Sequence, residues 1–132
     1  MLSLTDQPRR QVLAAALVLI IAGVHFQQYV DFISQIPTVG ILFLLNAAGG
    51  AGLALALLSP DRTMRTAAAL GCLGLAIGSL ISITIALQSS LFGYSEPSLR
   101  LPIVLAILAE IALIPVAALL PRRSRAPSAS QQ

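Results

Sequence analysis

Four polar side chains that could carry chemistry lie within otherwise apolar segments of this chain. They are His25, Asn46, Ser82 and Glu110, and their neighbours are mostly Leu, Ala, Ile, Val and Gly. Placing a carboxylate within the apolar core of a membrane costs about 3 kcal/mol or more, so such a residue faces protein or water and is a functional candidate by default. Glu110 is therefore the first candidate, either as a functional carboxyl group or as a hydrogen-bonding group that joins helices.

The composition is that of a membrane protein. Hydrophobic residues make up 57% of the 132-residue chain and charged residues only 10%, whereas soluble domains are roughly half apolar and a quarter charged. Apolar runs of about twenty residues recur, which is the length needed to cross a hydrocarbon core of ~30 Å. The sequence predicts an all-α, polytopic membrane protein with four transmembrane helices in an antiparallel bundle.

The elements that must position the four polar side chains follow from these runs. The transmembrane domain is predicted over residues 1–121, and a basic segment rich in Ser, Ala and Pro, 122–132, is predicted to be a disordered cytoplasmic tail. Pro37 suits the first turn of the second helix, and Pro115 is expected to kink the fourth. The predicted helices are 11–32, 37–58, 66–87 and 101–120.

Small residues at helical spacing predict the faces that pack together. In lipid, such residues let helix backbones approach closely. Helix 3 is predicted to carry a stripe of small residues, and its four-residue spacing from Gly74 through Gly78 to Ser82 predicts a packing face; Gly71 lies on the same stripe. The inward face of helix 2 is predicted to contain Asn46, Gly49, Gly50 and Leu53.

The four polar side chains are predicted to lie at similar depth. Counted inward from the outer helix ends, each is about six to nine residues deep, or ~9–14 Å at the helical rise. A polar layer shared by four helices is therefore possible in the outer half of the bundle. His25 and Glu110 could form a hydrogen-bonded, proton-exchanging pair there. The alternatives are that His25 reaches the outer headgroup water and that Asn46 only forms an interhelical hydrogen bond.

The arginines predict the orientation. All eight basic residues are Arg, and seven of them lie near the N-terminus, in the loop between helices 2 and 3, or in the C-terminal tail. The other two loops carry only Arg100. Because cytoplasmic loops are enriched in basic residues, both termini are predicted to be cytoplasmic, in a bacterial plasma membrane. The charge of +3 reflects this orientation, and no solvated basic domain indicates a nucleic-acid partner.

The residue types argue against most catalytic and metal chemistry. One histidine per chain cannot supply the paired axial ligands of a membrane cytochrome unless two chains share a cofactor, and no His, Cys and carboxylate cluster has metal-ligand spacing. The single cysteine, Cys72, excludes an intrachain disulfide and is predicted to pack as a small hydrophobic residue. No nucleophile elbow, phosphate loop or dinucleotide motif is present. We therefore expect no cofactor and no enzymatic activity.

Three motifs resemble those of a known group of proteins. They are Gly23-Val24-His25 near the end of helix 1, the segment Ile36-Pro37-Thr38-Val39-Gly40-Ile41-Leu42-Phe43-Leu44, and Glu110 in helix 4. With these motifs the chain resembles small four-helix integral membrane proteins of unknown function from high-GC actinobacteria. The resemblance implies the fold and the polar layer, and it implies no activity.

Three functions remain open at this point. The leading one is a non-enzymatic integral membrane protein, either an accessory subunit or a scaffold, with a polar pocket in the membrane. Its partners would be lipid and other membrane proteins or a second copy. The second is a small, dimeric, proton-coupled transporter that uses Glu110 and His25. The third is a redox membrane protein that holds quinone or haem at His25.

Overall fold

The chain folds into four α-helices within the part that the structure describes. A computed structural model describes residues 6–121, so the predicted tail at 122–132 lies outside the described residues. Each helix is long and apolar enough to cross a membrane. The helices are α1 (Asp6–Asp31), α2 (Pro37–Leu57), α3 (Arg62–Gln88) and α4 (Leu101–Leu119), and a short 3-10 turn, Ile33–Gln35, precedes α2.

Two of the helices begin earlier than the apolar pattern predicts. α1 is already helical at Asp6, the first described residue, and includes Arg9 and Arg10, and α3 starts at Arg62. The α3 start has a local cause: the Asp61 carboxylate accepts hydrogen bonds from the backbone N–H groups of Thr63 and Met64, at 3.4 and 2.9 Å. Such an N-cap satisfies backbone donors that a helix start leaves free. Hydrophobicity predicts where lipid could surround a helix, and not where its hydrogen bonds stop.

The helices pack as a ring around a core of small side chains. α1 and α3 each pack against both α2 and α4. The largest fully buried apolar side chains include Ile21, Leu57 and Leu113, and the buried Cys72 thiol lies in the same core. Many large apolar side chains point outward instead, and Leu101 is 82% exposed. Pro115 lies inside α4, which continues as a single helix on both sides of this proline.

The predicted packing face of α3 is wrong for most of its length. A Cβ built at Gly74 or at Gly78 meets no atom of the chain within 4 Å, so this stretch faces outward. The close approach occurs one turn earlier, where a Cβ on Gly71 would lie 2.6 Å from a methyl group of Leu53. Small residues make close approach possible, but which helix lies opposite them depends on how the whole bundle packs.

The predicted inward face of α2 is correct at some positions and wrong at one. Gly50 is buried, and a Cβ there would lie 3.0 Å from Cβ of Ala22 in α1. Leu53 packs against the core. Gly49, however, is exposed and has open space around it. Consecutive residues lie 100° apart around a helix, so Gly49 and Gly50 cannot both face the same neighbour.

The closest backbone approach in the bundle occurs at Gly40. Ile36 is extended, as expected for a residue before proline, and α2 then starts at Pro37. This geometry brings Gly40 against the preceding 3-10 turn, and a Cβ on Gly40 would lie 2.9 Å from the backbone oxygen of Ile33. The turn between α1 and α2 therefore requires glycine at this position.

We expect Gly40→Ala to destabilise the protein by about 1–3 kcal/mol, because the added methyl group clashes with backbone that cannot move freely. Gly49→Ala is the matched control. It adds the same methyl group in the same helix but in open space, where alanine is favoured over glycine by up to ~1 kcal/mol. Unfolding in mixed detergent micelles, followed by helical circular dichroism, measures both. Equal effects of the two substitutions would contradict the close approach at Gly40.

Candidate functional site

The candidate site includes a tight chain reversal in the loop between α3 and α4. Leu91 and Tyr94 exchange two backbone hydrogen bonds, of 2.7 and 2.9 Å. The two residues between them, Phe92 and Gly93, both have positive φ, 49° and 84°. Positive φ at both central positions defines a type I′ turn, in which glycine is favoured and phenylalanine is uncommon. The turn places Tyr94 next to the end of the helix bundle.

An ion-pair network holds this loop against the helices. Glu96 is only 5% exposed, and its backbone N–H donates to the Ala86 carbonyl in α3 at 2.9 Å. Arg100 donates to both carboxylate oxygens of Glu96, at 3.1 and 3.2 Å, and the Tyr94 hydroxyl donates to the same carboxylate. A buried carboxylate needs such partners, because an unpaired charge in an apolar setting is costly. The Arg100 guanidinium also lies 4.4 Å from the centre of the Phe32 ring.

The network also shifts proton equilibria in the loop. Burial, and next the hydrogen bond to Glu96, raise the pKa of Tyr94 to about 12. The hydrogen bond to Glu96 likewise raises the pKa of the Arg100 guanidinium. The loop therefore carries a neutral phenol and a compensated ion pair at neutral pH.

A pocket of about 620 Å³, which includes its open part, lies between this loop and the four helices. Most of its wall is apolar, and the polar groups are few. The polar lining residues are His25 and Gln28 from α1, Ser79 and Ser82 from α3, Glu110 from α4, and Tyr94, Glu96 and Arg100 from the loop.

His25 is buried at one side of the pocket, and its hydrogen bonds define its tautomer. Its Nδ1 lies 2.9 Å from the Ile21 carbonyl oxygen. Because a carbonyl only accepts, Nδ1 must carry a hydrogen. In the neutral ring Nε2 is then an acceptor, so the Ser79 hydroxyl, 3.4 Å away, donates to it. The ring also packs against Phe43 of α2, with 4.9 Å between ring centres.

Glu110 lies at the inner end of the pocket. It is 1% exposed, and its position in α4 is nine residues beyond Leu101, or ~13.5 Å along the helix. Its Oε1 is buried and has no hydrogen-bond partner among the described residues. The Ser79 hydroxyl lies near the Glu110 carboxyl group and is within hydrogen-bonding distance of His25 Nε2, at 3.4 Å.

The structure brings three of the four sequence-predicted site residues to this pocket. His25, Ser82 and Glu110 line it, whereas Asn46 does not. Asn46 follows Phe43 by one turn, ~4.5 Å deeper along α2, and Phe43 is the α2 residue that lines the pocket there. The amide oxygen of Asn46 is buried without a partner. The Ser82 hydroxyl donates to the Gly78 carbonyl at 2.8 Å.

The hypothesis of a direct bond between His25 and Glu110 needs a correction. No hydrogen bond joins these two residues within 6–121, and Ser79 interacts with each of them instead. Two serines on one helix, Ser79 and Ser82, both line the pocket. They are three residues apart and so share a face of α3, but Ser79 is the one within hydrogen-bonding distance of His25.

Sequence reasoning missed the loop residues of the site. Tyr94, Glu96 and Arg100 lie outside the apolar runs, in the segment between the third and fourth predicted helices, and were not among the candidate site residues. Their spacing carried a usable signal, since Glu96 and Arg100 are an i, i+4 pair of opposite charge. Gln28 was also missed, although it is 4% exposed and lines the pocket three residues after His25.

The chemistry available in this pocket is hydrogen bonding and proton exchange. No group of three or more His, Cys, Asp or Glu side chains that could hold a metal ion occurs within the described segment. No protein-family model, curated protein or solved structure matches this chain. The resemblance to small four-helix membrane proteins therefore stays a prediction.

The raised pKa of Tyr94 gives a prediction for alkaline pH. Because the neutral phenol is favoured in the folded protein, its contribution to stability is present below pH 10, the unperturbed value, and is lost as the pH rises through about 12. Ultraviolet titration of tyrosinate should show a component at about pH 12 that is absent in Tyr94→Phe. Glu96→Gln should lower the pKa of Tyr94, because it removes the negative charge beside the phenol. An unchanged titration in Glu96→Gln would contradict the network.

Proposed function

We propose that the chain is a non-enzymatic integral membrane protein that binds a small ligand in this pocket. Its four helices cross a bacterial plasma membrane as an antiparallel bundle, and its role is that of an accessory subunit. The short loops leave little surface outside the helices, so protein partners bind through helix faces or the basic cytoplasmic ends. This proposal rests above all on Glu110, a carboxyl group that is buried at the pocket without a full set of partners.

Membrane insertion is supported by the outward faces of the helices. Large side chains such as Ile41, Leu55 and Leu108 are 60%, 75% and 60% exposed. A water-soluble protein rarely exposes apolar surface on this scale, whereas lipid is its natural surrounding. Charged side chains lie near the helix ends and in the loops, apart from Glu110. In the proposed orientation the pocket lies in the half of the bundle nearest the outer surface, because it is next to the α3–α4 loop.

A purely structural role accounts less well for Glu110. A carboxyl group that only joins helices would be expected to have both oxygens bonded, since each unsatisfied buried group costs about 1–3 kcal/mol. Glu96 shows this pattern, with Arg100, Tyr94 and the Ala86 carbonyl as partners of its side chain and backbone. Glu110 does not, and the oxygen it leaves free belongs to a pocket residue. A ligand completes its hydrogen bonding.

One observation favours proton-coupled transport as a second candidate. Ser79 interacts with both His25 and Glu110, and a hydroxyl can donate to one partner while it accepts from the other. In such a relay the Glu110 proton would pass to the Ser79 oxygen while the Ser79 proton passes to His25 Nε2, so that one proton moves between the two residues. A carrier of this kind needs a second copy of the chain, because four spans are few for a monomeric carrier. Proton-linked flux in proteoliposomes that Glu110→Gln abolishes would support this candidate over a binding protein.

The proposed orientation predicts which loops are reachable from outside the cell. Single cysteines are placed at Ser90 and at Pro60, in the two loops at opposite ends of the bundle, in a Cys72→Ala background. We expect a membrane-impermeant maleimide to label Ser90→Cys in intact cells and Pro60→Cys only after lysis. The reverse pattern would contradict the orientation. Labelling of both sites in intact cells would contradict a membrane-spanning bundle.

Native mass spectrometry of the protein released from mild detergent tests ligand binding. We expect the wild type to retain a bound small molecule. Ala106→Phe should lose it, because Ala106 lines the pocket and phenylalanine fills the space. Ala112→Phe is the matched control, since it makes the same change at an exposed position of α4.

The outcomes of the native mass spectrometry experiment distinguish the candidate functions. A wild type with no bound mass would contradict ligand binding and favour a purely structural subunit. Equal retention by both phenylalanine variants would place the ligand outside this pocket. A retained chromophore or quinone that is lost in His25→Ala would instead support the redox alternative.

A further inference from the structure

We propose that the ligand of this pocket is an amphipathic primary amine, bound as its ammonium by Glu110 with its apolar body against the pocket wall. This inference rests on the proposed ligand-binding function and adds the chemical class of the ligand. It follows from three properties of the pocket: which hydrogen-bonding capacities remain free, which charges lie near, and what lines the rest.

The free hydrogen-bonding capacity at the inner end consists mainly of acceptors. The Glu110 Oε1 atom has no partner. Ser82 already donates its hydrogen to the Gly78 carbonyl, so only its lone pairs remain for a ligand. In the neutral ring both nitrogens of His25 are engaged, one by Ile21 and one by Ser79. A ligand that completes this site must therefore supply donors.

Gln28 can both donate and accept hydrogen bonds, so it does not remove the excess of acceptors at the inner end of the pocket. Its side chain is buried at the pocket and makes no hydrogen bond to other residues of the described chain. Its amide can accept from a ligand through oxygen or donate through nitrogen. An ammonium group carries three hydrogens, so it can bond Glu110 and still donate to the oxygen of Gln28 or of Ser82. A quaternary ammonium has no hydrogen to donate.

The charges around the pocket also favour a cation. Arg100 is the basic residue that lines it, and its Nε and Nη2 atoms donate to the two carboxylate oxygens of Glu96. The positive charge of the loop is thus already compensated. Glu110 has no cation beside it among the residues that line the pocket. An ammonium group would pair with the Glu110 carboxylate, whereas an anionic ligand would meet two acidic side chains and no free positive charge.

The remainder of the pocket suits an apolar body. Its wall is formed largely by aliphatic side chains and one phenylalanine from the helices. The Phe43 ring lies beside His25 and offers a flat surface to an aromatic or aliphatic group. A ligand that pairs with Glu110 at the inner end therefore extends past apolar side chains toward the α3–α4 loop. The principal apolar residues are Val24, Ile33, Val39, Phe43, Ile83 and Ile103.

The test uses the full chain in phosphatidylcholine nanodiscs and radiolabelled phenethylamine as the probe. Equilibrium dialysis measures saturable binding, and empty nanodiscs correct for partition into the lipid. Three competitors share the aromatic body but differ in the polar end: phenethyl alcohol, hydrocinnamate and benzyltrimethylammonium. Because this comparison is made on the wild type, it does not depend on any variant folding.

We expect phenethylamine to bind at least about tenfold more tightly than each of the three competitors, the size of effect associated with a charge-assisted hydrogen bond. Glu110→Gln should weaken the binding of phenethylamine by a similar factor and leave the binding of phenethyl alcohol almost unchanged. Asp61→Asn is the matched control, because it also converts a carboxylate to an amide. It lies at the opposite end of α3, and asparagine still caps that helix. The affinity of Asp61→Asn for phenethylamine should equal that of the wild type.

The failure of this inference differs from the failure of the proposed function. If the alcohol or the anion binds as tightly as the amine, or if Glu110→Gln retains the amine affinity, the amine assignment is overturned. Loss of that binding in Ala106→Phe but not in Ala112→Phe would then still establish a ligand pocket. If benzyltrimethylammonium matches phenethylamine, the N–H donors are not recognised and the assignment to a primary amine is overturned. If no probe binds and the wild type retains no mass, both proposals fail.

Discussion

A polar group buried among apolar side chains must find its partners within the protein or in a bound molecule, and this constraint shapes the functional end of the bundle. Polar atoms stripped of water and left unpaired cost free energy, and the cost is larger for a charge than for a neutral group. Glu96 meets the constraint fully: Arg100 and Tyr94 bond its carboxylate, and the loop between α3 and α4 folds around it. The loop thereby becomes part of the pocket wall.

Glu110 meets the same constraint only in part. Ser79 reaches its carboxyl group, but Oε1 stays without a partner at a depth where the surrounding wall is apolar. The two carboxyl groups at one pocket therefore differ: Glu96 is fully paired, whereas Glu110 keeps an oxygen without a partner. Ser79 connects this free carboxyl group to His25, whose other nitrogen is tied to the backbone of its own helix. The same contact would serve proton exchange in a carrier.

The sequence predicted how deep in the bundle the candidate site residues lie, but not which side of each helix faces the pocket. Counting residues from the helix ends placed His25, Ser82 and Glu110 at one level, and all three line the pocket. The same counting included Asn46, which does not line it, and passed over Ser79, which bonds His25. Depth follows from residue number at a fixed rise per residue. Which side of a helix faces the pocket depends on the rotation of each helix against its neighbours. A chain rich in Leu, Ala and Gly has few polar residues that would indicate that rotation.

The sequence by itself determined that the chain forms four helices long and apolar enough to cross a membrane, because hydrophobic length is a property of each segment alone. It also singled out Glu110 and His25 as unusual in their surroundings. Only the tertiary structure decided that Gly74 and Gly78 face outward while Gly71 packs on Leu53. It likewise decided that a loop of polar residues closes around Glu96, and that Ser79 lies between His25 and Glu110. These features depend on contacts between residues distant in the chain, and such contacts arise from the mutual packing of helices and not from the pattern within any one of them.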